Sequence, residues 1–91
     1  MVSSLEIVKG SVVKARAGRD KDDFFIVVEV DSEYAMICNG KRRSVEKPKR
    51  KKLKHLSATK TVVEEKSMST NREIRKALSL FIGAQGEMIP Q

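Results

Sequence analysis

The stretch FFIVVEV, residues 24–30, is aromatic or β-branched at every position except Glu29. This composition is typical of a β-strand, in which alternate side chains point to the same face of the sheet. The sequence therefore predicts a strand here that provides much of the core. The residues predicted to share one face are Phe24, Ile26, Val28 and Val30.

Two further strands are predicted on either side of this stretch. Residues 11–17 (SVVKARA) alternate partly between apolar and basic side chains, which favours a strand. The polar residues 18–23 (GRDKDD) then form a turn opened by a glycine. After a short turn at residues 31–33, the segment YAMIC at 34–38 predicts a third strand.

The dipeptide Asn39-Gly40 follows this third strand and is typical of a type I′ hairpin turn. We therefore predict a returning strand over residues 41–47, with Val45 as its inward contact, ended by Pro48. A fifth short strand is predicted over residues 53–56. Short strands joined by tight turns favour a mainly β fold, a small antiparallel barrel, within residues 1–60.

The last third of the chain has a helical period. Thr70 and Glu73 fit a capping box, in which the hydroxyl of the first residue accepts a hydrogen bond from the amide of the second. An irregular connection is predicted over residues 60–69, so that residues 61–91 form a segment separate from the β fold. The rest of this segment is predicted to be an α-helix over about 70–83 that ends at Gly83, followed by a flexible tail. The apolar stripe of this helix comprises Ile74, Ala77, Leu78, Phe81 and Ile82.

Positive charge is concentrated in residues 41–54, KRRSVEKPKRKKLK, which hold nine basic residues and one acidic residue. This segment therefore carries +8, whereas the ten basic and eleven acidic residues elsewhere leave −1. Cations packed this densely repel one another and gain free energy when a polyanion neutralises them. Nucleic acid is the interpretation we prefer; a solvated loop, a nuclear-localisation signal and a membrane surface remain alternatives.

Catalytic and metal chemistry are not expected. A single histidine, His55, and a single cysteine, Cys38, are too few for a disulfide framework or a cysteine-rich zinc site. Cys38 ends an apolar strand and is predicted to be a core residue, and His55 lacks a nucleophile context. We expect a protein that is not an enzyme and has no metal or cofactor.

The expected location is cytoplasmic. No apolar run approaches the roughly 20 residues needed to span a bilayer. Residues 1–10 contain Glu6 and Lys9 and lack the apolar segment of a secretory signal.

The segment KGSVVKARAGRDKDDFFIVVEV resembles the KOW motif of ribosomal and transcription-associated proteins, and Gly18 matches its characteristic glycine. With the basic segment and KLKHL, the resemblance covers about residues 8–60. Over this range the chain looks like the bacterial KOW-domain RNA-binding proteins that are similar to a KOW protein of the archaeal and eukaryotic large ribosomal subunit. It implies an SH3-like barrel that binds RNA. KOW turns commonly carry a second glycine near position 22, where this chain has Asp22 and Asp23. These carboxylates are expected to weaken phosphate contacts by Arg19 and Lys21.

The expected function is a non-enzymatic RNA-binding module associated with the ribosome or translation. RNA, above all ribosomal RNA, is the expected partner, with ribosomal proteins as further partners, no membrane, and a monomeric state. A KOW-type protein-interaction adaptor in transcription or translation is the alternative, with its helical stripe docking a partner. The core is the default position for each of the four aromatic residues, with exposure of Phe25 and Tyr34 as the alternative. Because no aromatic-basic surface is evident, base stacking is not expected to dominate recognition. The candidate RNA-binding residues are Arg16, Arg19, Lys21, Lys41, Arg42, Arg43, Lys49, Arg50, Lys51, Lys52 and Lys54.

Overall fold

The computed structural model describes residues 6–87, with the backbone only for residues 84–87. The strands are β1 (Ser11–Ala15), β2 (Phe24–Val30), β3 (Tyr34–Cys38), β4 (Lys49–Lys52) and β5 (Leu56–Val62). Two short 3-10 helices cover Leu53–His55 and Glu65–Met68, and one α-helix, α1, covers Asn71–Glu87. Across this part of the chain, no helix has the length and apolar character to cross a membrane.

The five strands form one antiparallel sheet in the order β4-β3-β2-β1-β5. Strands β1 to β4 follow one another as a meander, and β5 returns to pair with β1 on the far side. The ladder is open, with β4 and β5 at its two edges. The prediction of a mainly β fold with a C-terminal helix is therefore confirmed, whereas closure into a barrel stays a prediction.

Both faces of the sheet carry buried apolar side chains. On one face, α1 packs against the sheet, and we call this group the helix-facing cluster. It contains Val12, Ile26, Cys38, Ile74, Leu78 and Phe81. The opposite face carries the strand cluster, made of Val13, Ala15, Phe25, Val27, Ala35, Ile37 and Leu56. Burial on both faces explains why β2 is a nearly continuous apolar run rather than an alternating one.

A β-bulge in β2 corrects the predicted face assignment. Val27 pairs with Ile37, but Glu29 rather than Val28 pairs with Met36, so the register shifts between them. Phe24, Ile26 and Val28 pack on the helix-facing cluster, as the period-2 pattern predicts. The prediction is wrong for Val30, which packs against the strand cluster because the extra residue of a bulge reverses the alternation.

The predicted two-residue hairpin at Asn39-Gly40 is wrong. A type I′ turn needs positive φ at both central residues, and of these two only Gly40 has it, at 78°. The Asn39 side-chain oxygen instead accepts hydrogen bonds from the amides of Lys41, at 2.9 Å, and Arg43, at 3.1 Å. These bonds support an irregular connection over residues 39–48, so the returning strand β4 begins only after Pro48.

The helix, and not a hairpin turn, explains why position 40 is a glycine. A Cβ at this position would lie 2.5 Å from the backbone oxygen of Asn71, at the start of α1. The Asn71 side chain accepts a hydrogen bond from the Val45 amide at 2.8 Å. The helix start therefore holds the β3–β4 connection, a contact between segments about 30 residues apart that no local pattern shows.

The boundaries of the following elements also differ from the prediction. Residues 53–55 form a 3-10 helix instead of a strand, and β5 begins at Leu56 and runs to Val62. Strand β1 ends at Ala15, two residues earlier than predicted. The segment predicted as an irregular connection thus contains the end of β5 and a second 3-10 helix.

The predicted start of α1 is confirmed. Thr70 precedes the first helical residue, and its hydroxyl accepts a hydrogen bond from the Glu73 amide at 3.1 Å. Of the predicted stripe, Ile74, Leu78 and Phe81 are buried against the sheet, whereas Ile82 is 49% exposed. Because Ile74, Leu78 and Phe81 pack on this chain's own sheet, they are not exposed as the docking surface of the adaptor alternative.

The predicted end of α1 at Gly83 is wrong, since the helix continues to Glu87. Gly83 does not adopt the positive φ of a helix-ending glycine, and open space surrounds the position of its absent Cβ. A glycine at such an exposed site weakens a helix slightly without ending it. The predicted tail from residue 84 therefore begins inside the helix, and its residues 88–91 lie outside the described residues.

We expect Thr70→Ala to lower the free energy of unfolding by about 0.5–2 kcal/mol, because the Glu73 amide loses its partner at the helix start. Thr70→Ser, which keeps the hydroxyl, is the matched control and should remain close to the parent. Urea denaturation followed by circular dichroism measures both. Equal loss of stability in the two variants would contradict the capping role.

Candidate nucleic-acid interface

Strand β4, with the sequence KRKK, forms one edge of the sheet. Its side chains alternate between the two faces. Lys49 and Lys51 are half-buried, and they pair with strand-cluster residues of β3, whereas Arg50 and Lys52 are exposed. Lysines on an edge strand hinder pairing with another strand, so this edge is protected against extension of the sheet.

Two side-chain contacts join β4 and the β3–β4 connection to the β1–β2 connection, residues 16–23. A guanidinium nitrogen of Arg43 lies 3.0 Å from a carboxylate oxygen of Asp20. The Lys51 ammonium donates a hydrogen bond to the backbone oxygen of Ala17 at 2.9 Å. Residues 16–23 and residues 39–52, which are separate in sequence, are therefore joined by side-chain contacts.

A third contact joins the first residue of the β1–β2 connection to the first 3-10 helix. The Arg16 amide donates to the backbone oxygen of His55 at 2.8 Å, which brings Arg16 close to the segment that carries Lys54. We call the exposed candidates of these connected segments the basic surface. It consists of Arg16, Arg19, Lys21, Lys41, Arg42, Arg50, Lys52 and Lys54.

The other three candidates are half-buried, and two of them make contacts within the protein. Arg43 pairs with Asp20, and Lys51 holds the β1–β2 connection, as described above. Lys49 faces the strand-cluster side of β4. The sequence pattern placed all eleven candidates in one class, but the structure separates eight exposed cations from three whose side chains are partly enclosed.

The Arg43–Asp20 pair is the most enclosed ion pair among the described residues. The Asp20 side chain is only 3% exposed and that of Arg43 is 26% exposed. The Arg43 Nε atom is buried and has no hydrogen-bond partner. Such a pair costs desolvation energy, and it fixes the two connections relative to one another.

Two carboxylates near the basic surface, those of Asp22 and Glu46, have partners other than its cations. Asp22 lies 3.8 Å from the Lys14 ammonium, so its ion pair is with β1 and not with Lys21. Glu46 accepts a hydrogen bond from the Asn71 side chain at 2.9 Å, and this bond is the main cause that lowers its pKa. Glu46 thus stays ionised and is bound to the helix start.

Two residues that sequence analysis did not select also belong to this region. Arg75 of α1 donates to the backbone oxygen of Gly40 at 2.6 Å and lines a cleft together with Lys41 and Arg42. Tyr34 of β3 lies under the guanidinium of Arg50, whose central carbon is 3.8 Å from the ring centroid. Both depend on tertiary contacts, so spacing along the chain gave no signal for them.

Cys38 is fully buried in the helix-facing cluster, as predicted for a core residue. Burial, with a smaller contribution from the charge of Glu46, raises the pKa of its thiol to about 11. Within residues 6–83, no group of three His, Cys, Asp or Glu side chains is arranged to hold a metal ion.

We expect Cys38 to react with iodoacetamide at pH 8 at least about 100-fold more slowly in the folded protein than in denaturant, because only the thiolate is nucleophilic. Mass spectrometry of timed samples measures both rates. Stability should also fall as the pH rises from about 9 towards 11, since the unfolded thiol releases its proton first. Equal alkylation rates with and without denaturant would contradict the buried position.

Comparison with protein-family models and with curated proteins finds no match to this chain.

Proposed function

We propose that this protein is a non-enzymatic RNA-binding module that works on or near the ribosome and contacts structured RNA through its basic surface. The observation that carries the proposal is the presence of eight exposed cations on adjacent segments, while the chain outside residues 41–54 is nearly neutral. Such a surface gains free energy by releasing the counterions condensed on a phosphate backbone.

The residue types favour recognition of the RNA backbone. Arg42 and Arg50 present forked guanidinium groups that bind two phosphate oxygens at once, whereas the exposed lysines act as movable point charges. In A-form RNA the bases lie in a deep, narrow major groove, so phosphates and 2′-hydroxyls are the groups such a surface reaches. Structured RNA, and ribosomal RNA in particular, is the proposed partner.

The fold of this module is proposed to be an SH3-like barrel of the KOW type. The return of β5 to β1 after a four-strand meander supports this, because a small barrel needs its last strand beside its first. Gly18 has φ of 84°, and Asp22 has φ of 73° near the place where KOW turns carry a second glycine. Asp22 thus adopts a backbone conformation that glycine adopts most readily.

The adaptor alternative has less support once the packing of the helix is taken into account than it has from the sequence alone. It relied on an apolar helical stripe as the docking surface, and Ile74, Leu78 and Phe81 of that stripe are covered by the sheet. The basic surface, unlike this stripe, is exposed and is not part of the core. Its charge favours nucleic acid as the partner.

Crosslinking in living cells, followed by sequencing of the recovered RNA, tests the proposal. A tagged parent protein should recover ribosomal RNA fragments, with crosslinks concentrated in helices and their junctions. A tagged variant with exposed cations of the basic surface changed to Glu should recover much less. Recovery of the same RNA by both proteins, or none above an untagged control, would overturn the proposal.

A further inference from the structure

Tyr34 separates two surface clefts at the end of the sheet near β4. One cleft contains Arg50, which covers the tyrosine ring. The other has a volume of about 360 Å³, within the usual range for sites that bind small groups. It is lined by Ser32, Glu33, Tyr34, Lys52, Leu53 and Lys54. We call this second cleft the Tyr34 cleft.

Backbone and side-chain hydrogen bonds fix the walls of the Tyr34 cleft. The Asp31 carboxylate accepts from the amides of Glu33 and Tyr34, each at 2.8 Å, and these bonds lower its pKa. Leu53 donates its amide to the backbone oxygen of Glu33 at 2.9 Å, joining the β2–β3 turn to the first 3-10 helix. The cleft is therefore formed before any ligand arrives, which reduces the entropy lost on binding.

We infer that the Tyr34 cleft binds a single unpaired nucleotide of the RNA, an inference that rests on the proposed RNA-binding function. Tyr34 and Leu53 line the cleft and provide apolar atoms against which a base can pack. The Glu33 carboxylate and the Ser32 hydroxyl offer hydrogen-bond acceptors for the edge of that base. Lys52 and Lys54 are exposed beside them and suit the flanking phosphates.

This arrangement defines the class of RNA. A continuous duplex keeps its bases stacked and paired, so it cannot fill the cleft. A bulge, an internal loop or a helix junction presents an unstacked base next to duplex phosphates. The basic surface and the cleft meet at Lys52 and Lys54, so one RNA with both features would engage both. Base stacking therefore has a role that the sequence alone did not predict.

The test compares two hairpin RNAs that share one stem and differ only by a single unpaired nucleotide. Fluorescence anisotropy should show that the parent binds the bulged RNA about 5–20-fold more tightly than the plain stem, since one base–aromatic stack is gained. Tyr34→Leu should abolish this preference, and any loss of affinity caused by displacing Arg50 from the ring should be the same for both RNAs. Tyr34→Phe, which keeps the ring, should retain the preference.

A second readout uses the unaltered protein and does not depend on the folding of a variant. An RNA with 2-aminopurine as the unpaired base should change its emission on binding, whereas one with 2-aminopurine inside the stem should not. Unchanged emission with saturating protein, equal affinity of the parent for both RNAs, or a preference that survives Tyr34→Leu overturns the inference alone. No salt-dependent binding to either RNA overturns the proposed function and this inference with it.

Discussion

Arg43→Met is expected to lower the free energy of unfolding by about 2–4 kcal/mol. The reason is that Asp20, only 3% exposed, would keep a buried carboxylate without its cation. Removing one partner of a buried pair costs more than the pair itself contributes. The expected loss of stability is smaller than for a fully buried pair, because the Arg43 side chain is about one quarter exposed. Chemical denaturation measures the loss.

The matched controls separate this effect from a general loss of charge. Arg42→Met, at an exposed neighbour in the same connection, should change stability by less than about 0.5 kcal/mol. The double variant Asp20→Asn, Arg43→Met removes both charges and should recover about 0.5–3 kcal/mol relative to the sum of the single variants. Strict additivity of the two substitutions would show that the ion pair does not hold the two connections together.

Strong local patterns predicted the framework of this fold. The β-branched composition of residues 24–30 located β2 with its exact ends, and YAMIC located β3. Thr70 marked the first turn of α1 because capping is a local hydrogen bond between neighbouring residues. These features depend on side chains within a few positions of one another, so the sequence contains them.

The errors occurred where a distant segment decided the local conformation. Asn39-Gly40 has the composition of a hairpin turn, but the start of α1 occupies the space beside Gly40. Val30 left its predicted face because β2 carries a bulge against β3. Gly83 did not end the helix, since nothing around it requires a positive φ. For Gly40 and Val30, the nearby sequence does not indicate the segment that decides the local conformation.

In the candidate site, too, local sequence predicted some features, whereas others depend on contacts with distant segments. Charge density along the chain selected β4 and its preceding connection, which carry seven of the eleven candidate cations. It did not show that Arg43 is engaged by Asp20 or that Lys51 holds Ala17, since both contacts join segments more than 20 residues apart. Tyr34 was assigned to the core from its strand position, whereas the structure leaves it half-buried beneath Arg50.

Reversing four exposed cations of the basic surface is expected to weaken RNA binding strongly. The variant changes Arg19, Lys41, Arg42 and Lys52 to Glu, and it leaves Arg43 and Lys51 in place because they hold the fold. The matched control changes four exposed cations on other elements, Lys60, Lys66, Arg72 and Lys76, to Glu. Both variants shift the formal charge from +7 to −1, so net charge alone cannot distinguish them. Circular dichroism establishes that each is folded.

The salt dependence of binding to a structured ribosomal RNA fragment tests the central claim most directly. If four to six cations contact phosphates, the logarithm of the association constant for the parent should fall against the logarithm of salt concentration with a slope of about −4 to −5. The control variant should keep a slope near this value, whereas the variant of the basic surface should bind weakly, with a slope near zero. Equal slopes and equal losses of affinity in the two variants would contradict the account, because RNA would then respond to overall charge and not to this surface.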